Sequence, residues 1–326
     1  MPGVNRTRRA FFFFGHTALG SGQDTMQIDR RGFLGAGAAA ALSGLSLEAA
    51  SADFSFVHFT DLHIQPELRA DVGCRACVGR INALKPDFAI CGGDLVYDVN
   101  EVGAVRAKQL FDLYGETVKA LHVPLHTVVG NHDVFGTYKN SGVAPTDPLY
   151  GKRMFEDRIG PLYRSFDHKG WHIVLLDSIG ILPGDFFGTV DDDQLTWLKN
   201  DLARMPAGTP LIVVTHMPLA SSVLQVVGDP GRKAQWYLVA NAHEVLELLW
   251  PYKPKLVLQG HTHIRETVTY NGCQFITSGA VCGNWWKGPR EGHPEGFGVV
   301  TVRGGEATWR YETYGFVASP PATTSK

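Results

Sequence analysis

The sequence predicts a layered α/β fold in which buried strands alternate with helices. Short apolar runs rich in β-branched or aromatic residues recur along the chain, and each run is followed by polar residues. Longer segments between these runs show the apolar spacing that is typical of helices. Toward the C-terminus the pattern changes to strand after strand, which predicts antiparallel pairs at the sheet edges.

Five of the predicted strands end at a polar cluster. These strands cover residues 53–60, 87–91, 125–129, 211–214 and 255–259. The clusters that follow them are, in order, DLH, GGD, GNHD, TH and GHTH. The predicted helices cover residues 102–121, 191–204 and 242–249, and further strands are predicted at 264–270, 273–278, 298–302 and 307–314.

Length and charge limit the possible organisation and partners. The chain has 326 residues, which allows one large domain or two small ones. Because no linker is evident, residues 53–326 are predicted to form a single domain with loops 134–151, 220–235 and 278–297 over the substrate side. The net charge of −2 predicts no surface for nucleic acid or for an anionic membrane.

The cysteines are five in number and irregularly spaced, which argues against a full disulfide framework. Cys74 and Cys77 form a CxxC pair, but no second pair follows at zinc-finger spacing. We therefore expect ordinary thiols or one local disulfide here.

The N-terminal residues 1–52 resemble an extension followed by a twin-arginine export signal. Arg30 and Arg31 precede an apolar stretch rich in glycine and alanine, and Ala52 closes a small-residue cleavage site. An apolar run of about 15 residues is too short for a stable membrane span. We therefore expect a periplasmic or secreted protein that the twin-arginine translocation machinery carries. Met26 is an alternative start, and an uncleaved tail is the competing interpretation.

The polar clusters are expected to meet, because ligands bind outside the carboxyl ends of strands in open α/β sheets. In an extended chain, residues i and i+2 point the same way, so Asp61 and His63 are expected to reach one ion together. His261 and His263 are expected to reach one ion or two adjacent ions.

The combination of ligand types predicts transition metals. Imidazole with carboxylate suits Fe, Mn, Zn or Co and does not suit a calcium site, which needs oxygen ligands. A lone residue such as His216 is more often a satisfied histidine than a ligand. The clusters together offer too many ligands for one tetrahedral ion, so two ions that share a bridging carboxylate fit better.

The series DxH, GGD, GNHD, TH and GHxH resembles the calcineurin-like metallophosphoesterase superfamily, in particular its bacterial members similar to cyclic-nucleotide phosphodiesterases. The resemblance implies a four-layer α/β/β/α sandwich of two mixed β-sheets flanked by helices. It implies that one metal ion is bound by Asp61, His63, Asp94 and His263. It implies that the other is bound by Asp94, Asn131, His216 and His261. His132 matches the family's catalytic histidine.

The same resemblance implies hydrolysis of a phosphate ester by a hydroxide that bridges the two metal ions. His132 then stabilises the transition state or protonates the leaving group as a general acid. Asp133 orients its loop or His132, or only stabilises a turn. Tyr97 stands where many relatives have Asp or Asn, and we expect it to pack behind the ligands; a purple tyrosinate–iron absorption band lost in Tyr97→Phe would contradict this.

The loop after the last cluster contains two adjacent tryptophans, Trp285 and Trp286, among small residues. At least one is expected to line the crevice and pack on the organic part of a substrate, with Asn284, Lys287 or Arg290 near its polar groups. The alternative is that one packs in the core and the other covers the sheet edge. The first interpretation predicts a preference for phosphodiesters or bulky organic phosphates. A phosphomonoesterase resembling acid phosphatases, or a catalytically silent binding protein of the same fold, is the alternative function.

Overall fold

The computed structural model describes residues 52–228 and 233–318. Its strands are β1 (Phe54–Phe59), β2 (Phe88–Cys91), β3 (Leu125–Thr127), β4 (Arg164–His168), β5 (Trp171–Leu175), β6 (Ile179–Leu182), β7 (Asp185–Gly188), β8 (Leu211–Val214), β9 (Leu256–Gln259), β10 (Arg265–Tyr270), β11 (Cys273–Ser278), β12 (Gly296–Arg303) and β13 (Glu306–Thr313). Its α-helices are α1 (Ala70–Leu84), α2 (Ala104–Val118), α3 (Arg153–Arg158), α4 (Asp192–Leu202), α5 (Val223–Val226) and α6 (Ala242–Leu249).

The strands form two mixed sheets and a separate hairpin. The first sheet has the order β13-β12-β1-β2-β3, with β1, β2 and β3 parallel and β12 antiparallel to both of its neighbours. The second has the order β10-β11-β9-β8-β5-β4, with four parallel strands between two antiparallel edge strands. Strands β6 and β7 pair with each other. The predicted α/β class with two mixed sheets is therefore confirmed.

Alternation of side chains along the strands produces the layers. One face of β1 and one face of β8 contribute Phe56 and Ile212 to a buried core between the two sheets. The opposite faces contribute Val57 and Val213 to a second buried cluster, which also contains apolar residues of the helices. These helix residues are Ile81 of α1, Leu110 of α2, Leu198 of α4 and Val245 of α6. Helices therefore cover the outer faces of the paired sheets.

Most predicted elements are confirmed, with boundaries shifted by a few residues. The five strands that end at polar clusters correspond to β1, β2, β3, β8 and β9, and the predicted helices correspond to α2, α4 and α6. The C-terminal antiparallel pairs are β10 with β11 and β12 with β13. Helix α1, the segment from α3 to β7 and the short helix α5, which lies within the predicted loop 220–235, were not predicted.

The CxxC cysteines lie within the described residues, whereas the twin arginine does not. Cys74 and Cys77 are buried free thiols in α1. Burial raises the pKa of both thiols well above the ordinary range, so both stay protonated.

Arg30 and Arg31 lie outside the described residues. Within the described ranges, no helix is long and apolar enough to cross a membrane.

Candidate metal centre

The predicted ligands gather at the carboxyl ends of β1, β2, β3, β8 and β9. Asp61 and His63 follow β1, Asp94 follows β2, and the remaining ligands follow the other three strands. All are buried except His261, which is half-buried. The sheet topology brings them together, because parallel strands present their carboxyl ends at one edge.

One group of ligands consists of Asp61, His63, Asp94 and His263. Each residue offers one ligand atom, and these atoms all lie within 4.8 Å of one another. His63 Nε2 lies 3.1 Å from His263 Nε2 and 3.4 Å from Asp94 Oδ2. His263 Nε2 lies 3.4 Å from Asp61 Oδ1. This spacing places two imidazoles and two carboxylates around a common point.

A second group consists of Asp94, His216 and His261, with Asn131 beside it. The ligand atoms of the three titratable residues again lie within 4.8 Å of one another. His216 Nε2 lies 3.1 Å from Asp94 Oδ2 and 3.1 Å from Asn131 Oδ1. Asp94 therefore belongs to both groups, as a carboxylate shared by two neighbouring ions would.

Hydrogen bonds orient the ligand rings. His216 Nδ1 donates to the Gly92 carbonyl at 2.8 Å, and His263 Nδ1 donates to the Gly283 carbonyl at 2.6 Å. Such bonds fix the tautomer and direct the Nε2 lone pair toward the centre. His261 is arranged the opposite way, because its Nε2 donates to the Trp236 carbonyl at 2.8 Å. Its buried Nδ1 has no hydrogen-bond partner among the described residues and is left as the ligand atom.

The donor set fits metal ions. Desolvation holds the pKa of His63 well below its ordinary value and lowers that of His263 to about 3, so both rings are neutral, the form that binds metal. Two neutral ring nitrogens 3.1 Å apart repel each other unless a proton or a cation lies between them. The Asn131 amide oxygen lies 3.1 Å from His216 Nε2 and offers an oxygen donor beside the imidazoles. Imidazole, carboxylate and amide donors together suit Fe, Mn or Zn.

The backbone at several ligands is left-handed. The expectation that Asp61 and His63 converge because the chain is extended at these residues is therefore wrong. Asp61 has a φ of 56° and His63 a φ of 42°, so neither residue is extended, and β1 ends at Phe59. Asp94, His261 and His263 also have positive φ values. This conformation costs about 1–2 kcal/mol for each residue with a Cβ. The side chains do converge, but through strained turns and not through strand alternation.

Glycines allow the ligand loops to approach one another. A Cβ added at Gly130 would lie 2.1 Å from the Asp94 backbone nitrogen. A Cβ added at Gly260 would lie 2.3 Å from Thr60 Oγ1 and 2.8 Å from Asp61 Oδ2. No side chain fits at either position, so the packing of the loops itself requires glycine.

His132 lies at the edge of the ligand cluster and is paired with Asp98. Its Nδ1 donates a hydrogen bond to Asp98 Oδ1, and its backbone nitrogen donates to Asp94 Oδ1 at 2.8 Å. Its side chain is 21% exposed. Burial acts to lower the pKa of His132, but Asp94 and Asp98 outweigh burial and raise it to about 9. Sequence reasoning missed Asp98, although it lies only four residues after Asp94.

Asp133 joins two of the ligand loops, and Tyr97 lies beside the ligand cluster. Asp133 accepts hydrogen bonds from the backbone nitrogens of Leu95 at 2.8 Å and Gly130 at 2.8 Å, so it joins two ligand loops. Tyr97 hydrogen-bonds to Asp98, and burial together with that carboxylate raises the pKa of Tyr97 to about 12. Tyr97 lines the crevice, and its ring centroid lies 6.4 Å from that of His63, so the side chain lies next to the ligand cluster.

The crevice above the ligands has a volume of about 580 Å³ and is lined by Trp285, Lys287 and Arg290 together with His132. The Trp285 ring lies with its centroid 4.7 Å from that of His263, and the Arg290 guanidinium lies 5.4 Å from the Trp285 ring. The loop after β11 therefore forms one wall of the crevice.

The other two loop residues with expected substrate contacts lie elsewhere. Trp286 is 1% exposed, and its Nε1 donates to the Leu62 carbonyl at 3.0 Å. The expectation that Trp286 contacts a substrate is therefore wrong, because its ring is part of the core beneath the ligand loop. Asn284 is not among the residues that line the crevice, and its Oδ1 accepts a hydrogen bond from Arg290 Nη1 at 3.5 Å.

Two mixed sheets flanked by helices, with imidazole, carboxylate and amide ligands gathered at the strand ends, define the metallophosphoesterases, which are hydrolases that act on phosphoester bonds. The chain belongs to the calcineurin-like phosphoesterase family, whose model matches residues 54–265.

Several bacterial proteins are similar to this chain. It is 27% identical over 203 residues to a 3′,5′-cyclic adenosine monophosphate phosphodiesterase from Haemophilus influenzae, a match that covers 60% of this chain and 61% of that protein. It is 25% identical over 211 residues to a probable glycerophosphodiester phosphodiesterase from Arcobacter nitrofigilis, covering 62% of this chain and 66% of that one. The match thus spans less than two thirds of either relative.

Solved structures share the fold. A dimetal phosphatase from Danio rerio superposes with a TM-score of 0.55 at 15% identity, covering 80% of this chain and 99% of that one. A purple acid phosphatase from yellow lupin seeds superposes with a TM-score of 0.54 at 15% identity, covering 81% of this chain and 52% of that one. At this identity the likeness concerns the fold alone.

Proposed function

We propose that the protein is an exported, metal-dependent phosphoesterase that hydrolyses phosphodiesters or bulky organic phosphates at a centre for two metal ions. The observation that carries the proposal is the position of Asp94. Its Oδ2 lies 3.4 Å from His63 Nε2 and 3.1 Å from His216 Nε2, and it belongs to both ligand groups.

Seven residues of the chain would bind the two metal ions. Asp61, His63 and His263 would hold one ion, Asn131, His216 and His261 the other, and Asp94 both. Two bound ions would activate a water nucleophile and neutralise charge on the phosphate.

His132 would supply the proton that the leaving group needs. Its Nδ1 is occupied by Asp98, so Nε2 is the nitrogen left to face a substrate. The Asp98 carboxylate acts to raise the pKa of His132, which favours the protonated ring that a general acid requires. The ring packs edge-on against His63, with centroids 4.6 Å apart, which supports a role for His132 next to a phosphate bound at the ligand cluster.

The crevice supports a substrate with an organic group on each side of phosphorus. Trp285 offers an aromatic wall next to His263, and Lys287 and Arg290 offer positive charge for polar groups. Among the relatives, one is named a cyclic adenosine monophosphate phosphodiesterase and one a probable glycerophosphodiester phosphodiesterase, and both names denote diesters. The twin arginine at Arg30 and Arg31 supports export, which disfavours a cytoplasmic second messenger as the substrate.

A panel of aryl phosphates with the metal-loaded protein tests the proposal. We expect kcat/KM for bis(p-nitrophenyl) phosphate to exceed that for p-nitrophenyl phosphate. A reversed ratio would identify a phosphomonoesterase instead. Hydrolysis of neither compound, with less than one metal ion per chain, would identify a silent binding protein of the same fold.

A further inference from the structure

We propose that an apolar groove beside the metal crevice binds an alkyl or acyl substituent of the substrate, so that the substrate is an amphiphilic phosphate ester. The phosphate end of this substrate rests on the function proposed above. The groove is a separate feature, formed by residues that take no part in the ligand cluster.

The groove lies between the loop that follows His132 and the β6–β7 hairpin. It has a volume of about 470 Å³, which lies within the range typical of small-molecule sites. Its apolar lining comes from both walls, with Val143, Pro145 and Tyr150 on the loop and Ile181, Leu182 and Pro183 on the hairpin. Thr137 and Lys139 are its polar lining residues.

The groove is continuous with the metal crevice. Tyr138 lines both cavities. A smaller cavity of about 220 Å³ shares Tyr138 and Gly184 with the groove and Tyr138, Phe186 and Trp236 with the crevice, and Asp185 also lines it. A ligand whose phosphate lies at the ligand cluster can therefore extend its substituent past Tyr138 onto the hairpin. This continuity favours a part of the substrate over a separate partner as the occupant.

The hairpin wall presents apolar side chains to water. Ile181 and Leu182 are each 36% exposed, next to the turn that Pro183 and Gly184 form. A charged or strongly hydrated substituent would gain nothing from this lining, whereas a hydrocarbon chain would remove both surfaces from water.

The groove is preformed. Phe135 and Gly151 exchange two backbone hydrogen bonds of 2.9 and 2.8 Å, which close the loop wall at its base. Ile181 reaches across the groove, because its Cδ1 lies 3.2 Å from the position of a Cβ on Gly151. The hairpin is held to the body by a backbone hydrogen bond of 2.8 Å from Ala240 to Gly188. Little ordering of either wall is needed before a chain can bind.

A homologous series of diesters tests the groove. Methyl, butyl and octyl p-nitrophenyl phosphates release the same leaving group, and each is used below its critical micelle concentration. We expect kcat/KM to rise about two- to fourfold per methylene until the groove is filled. Hydrolysis of the methyl ester tests the proposed function alone. The increase of kcat/KM with the length of the alkyl chain tests the groove.

Variants of the hairpin assign the effect to its residues. The double variant Ile181→Ser/Leu182→Ser is expected to flatten the chain-length dependence and leave the methyl ester unchanged. Val105→Ser is the matched control, since Val105 is 87% exposed on α2 outside the groove. A flat dependence in the wild type, or one that the double variant leaves intact, would overturn the proposal. So would a wild-type dimer that the double variant dissociates, since a second copy would then occupy the groove.

Equilibrium binding decides the question even without turnover. Octylphosphonate is expected to bind more tightly than methylphosphonate by calorimetry, and the double variant is expected to remove the difference. Equal affinities in the wild type would refute the groove, whereas failure to hydrolyse the methyl ester would refute only the proposed function.

Discussion

The imidazole of His132 donates its Nδ1 hydrogen to the carboxylate of Asp98 at the edge of the ligand cluster. The pair joins two loops that lie 34 positions apart in the chain. Tyr97 hydrogen-bonds to the same carboxylate, so Asp98 is held from two sides. A carboxylate in this position fixes the ring and stabilises its protonated form.

The first prediction concerns Asp98→Asn. Below the pKa of His132 the general acid is protonated and active, and this activity is lost as the pH rises through that pKa. Because the Asp98 carboxylate helps to raise the pKa of His132, its loss moves the alkaline limb of kcat to lower pH. At a pH above the pKa of His132 in both proteins, kcat of the variant falls about tenfold for each pH unit by which this pKa is lowered.

A pH–rate profile of Asp98→Asn measures this shift, with metal content determined in parallel. Glu101→Gln serves as the control, because Glu101 also lines the crevice but is hydrogen-bonded to Asn140. An unchanged alkaline limb in Asp98→Asn would show that this carboxylate does not set the protonation of His132.

The second prediction concerns His132→Ala. The variant is expected to keep its metal ions and to lose about 10²–10⁴-fold in kcat, as for a missing general acid. Elemental analysis and steady-state kinetics on the same preparation measure both quantities. Loss of the metal ions from this variant would identify His132 as a ligand.

The third prediction separates the two tryptophans. Trp285→Ala is expected to lower kcat/KM for bis(p-nitrophenyl) phosphate more than for p-nitrophenyl phosphate and to leave stability nearly unchanged. Trp286→Ala is expected to cost about 3–5 kcal/mol in unfolding free energy, because a buried ring against Gly73 is removed. Denaturant unfolding and the two substrates measure both effects. Equal destabilisation by the two variants would contradict the placement of Trp285 in the crevice wall.

The fourth prediction concerns export. Replacement of Arg30 and Arg31 by lysine is expected to leave the protein in the cytoplasm, because the twin-arginine pathway reads that pair. Cell fractionation followed by immunoblotting measures the distribution. Normal arrival of the double variant in the periplasm would show that another signal directs the protein.

Local sequence patterns predict the strands that precede the ligands, but they do not predict every helix and strand. Helix α1 begins after Arg69, which provides no side-chain cap, and contains Gly73 and Gly79, so the usual helix signals are weak. Strand β4 is a half-exposed edge strand without clear alternation. The run Trp171–Leu175 is buried and apolar except for His172, so its pattern could have identified β5.

The gathering of the polar clusters could be predicted because each cluster closely follows a strand, and the strands meet at one edge. The particular ligand set was implied by the resemblance to the calcineurin-like family. The left-handed backbone at Asp61 and His63 could not be predicted, because their positive φ values arise from contacts between loops. Asp61 N donates to the Gly93 carbonyl and His63 N to the Asp94 carbonyl, each at 3.0 Å. The role of Asp98 also depends on two loops that only the fold brings together.

Asp94 is proposed to bind both metal ions. Removal of its charge should therefore empty both sites, and activity should disappear with the metal. Asp94→Asn keeps the shape of the side chain, and circular dichroism verifies that the variant is folded. Glu101→Gln is again the control, because it removes a crevice carboxylate outside both ligand groups.

The most direct measurement is the number of metal ions per chain, determined by inductively coupled plasma mass spectrometry on the wild type, Asp94→Asn and Glu101→Gln. The shared position of Asp94 predicts about two ions in the wild type and in Glu101→Gln, and fewer than one in Asp94→Asn. A single ion in the wild type, or two ions retained by folded Asp94→Asn, would contradict it.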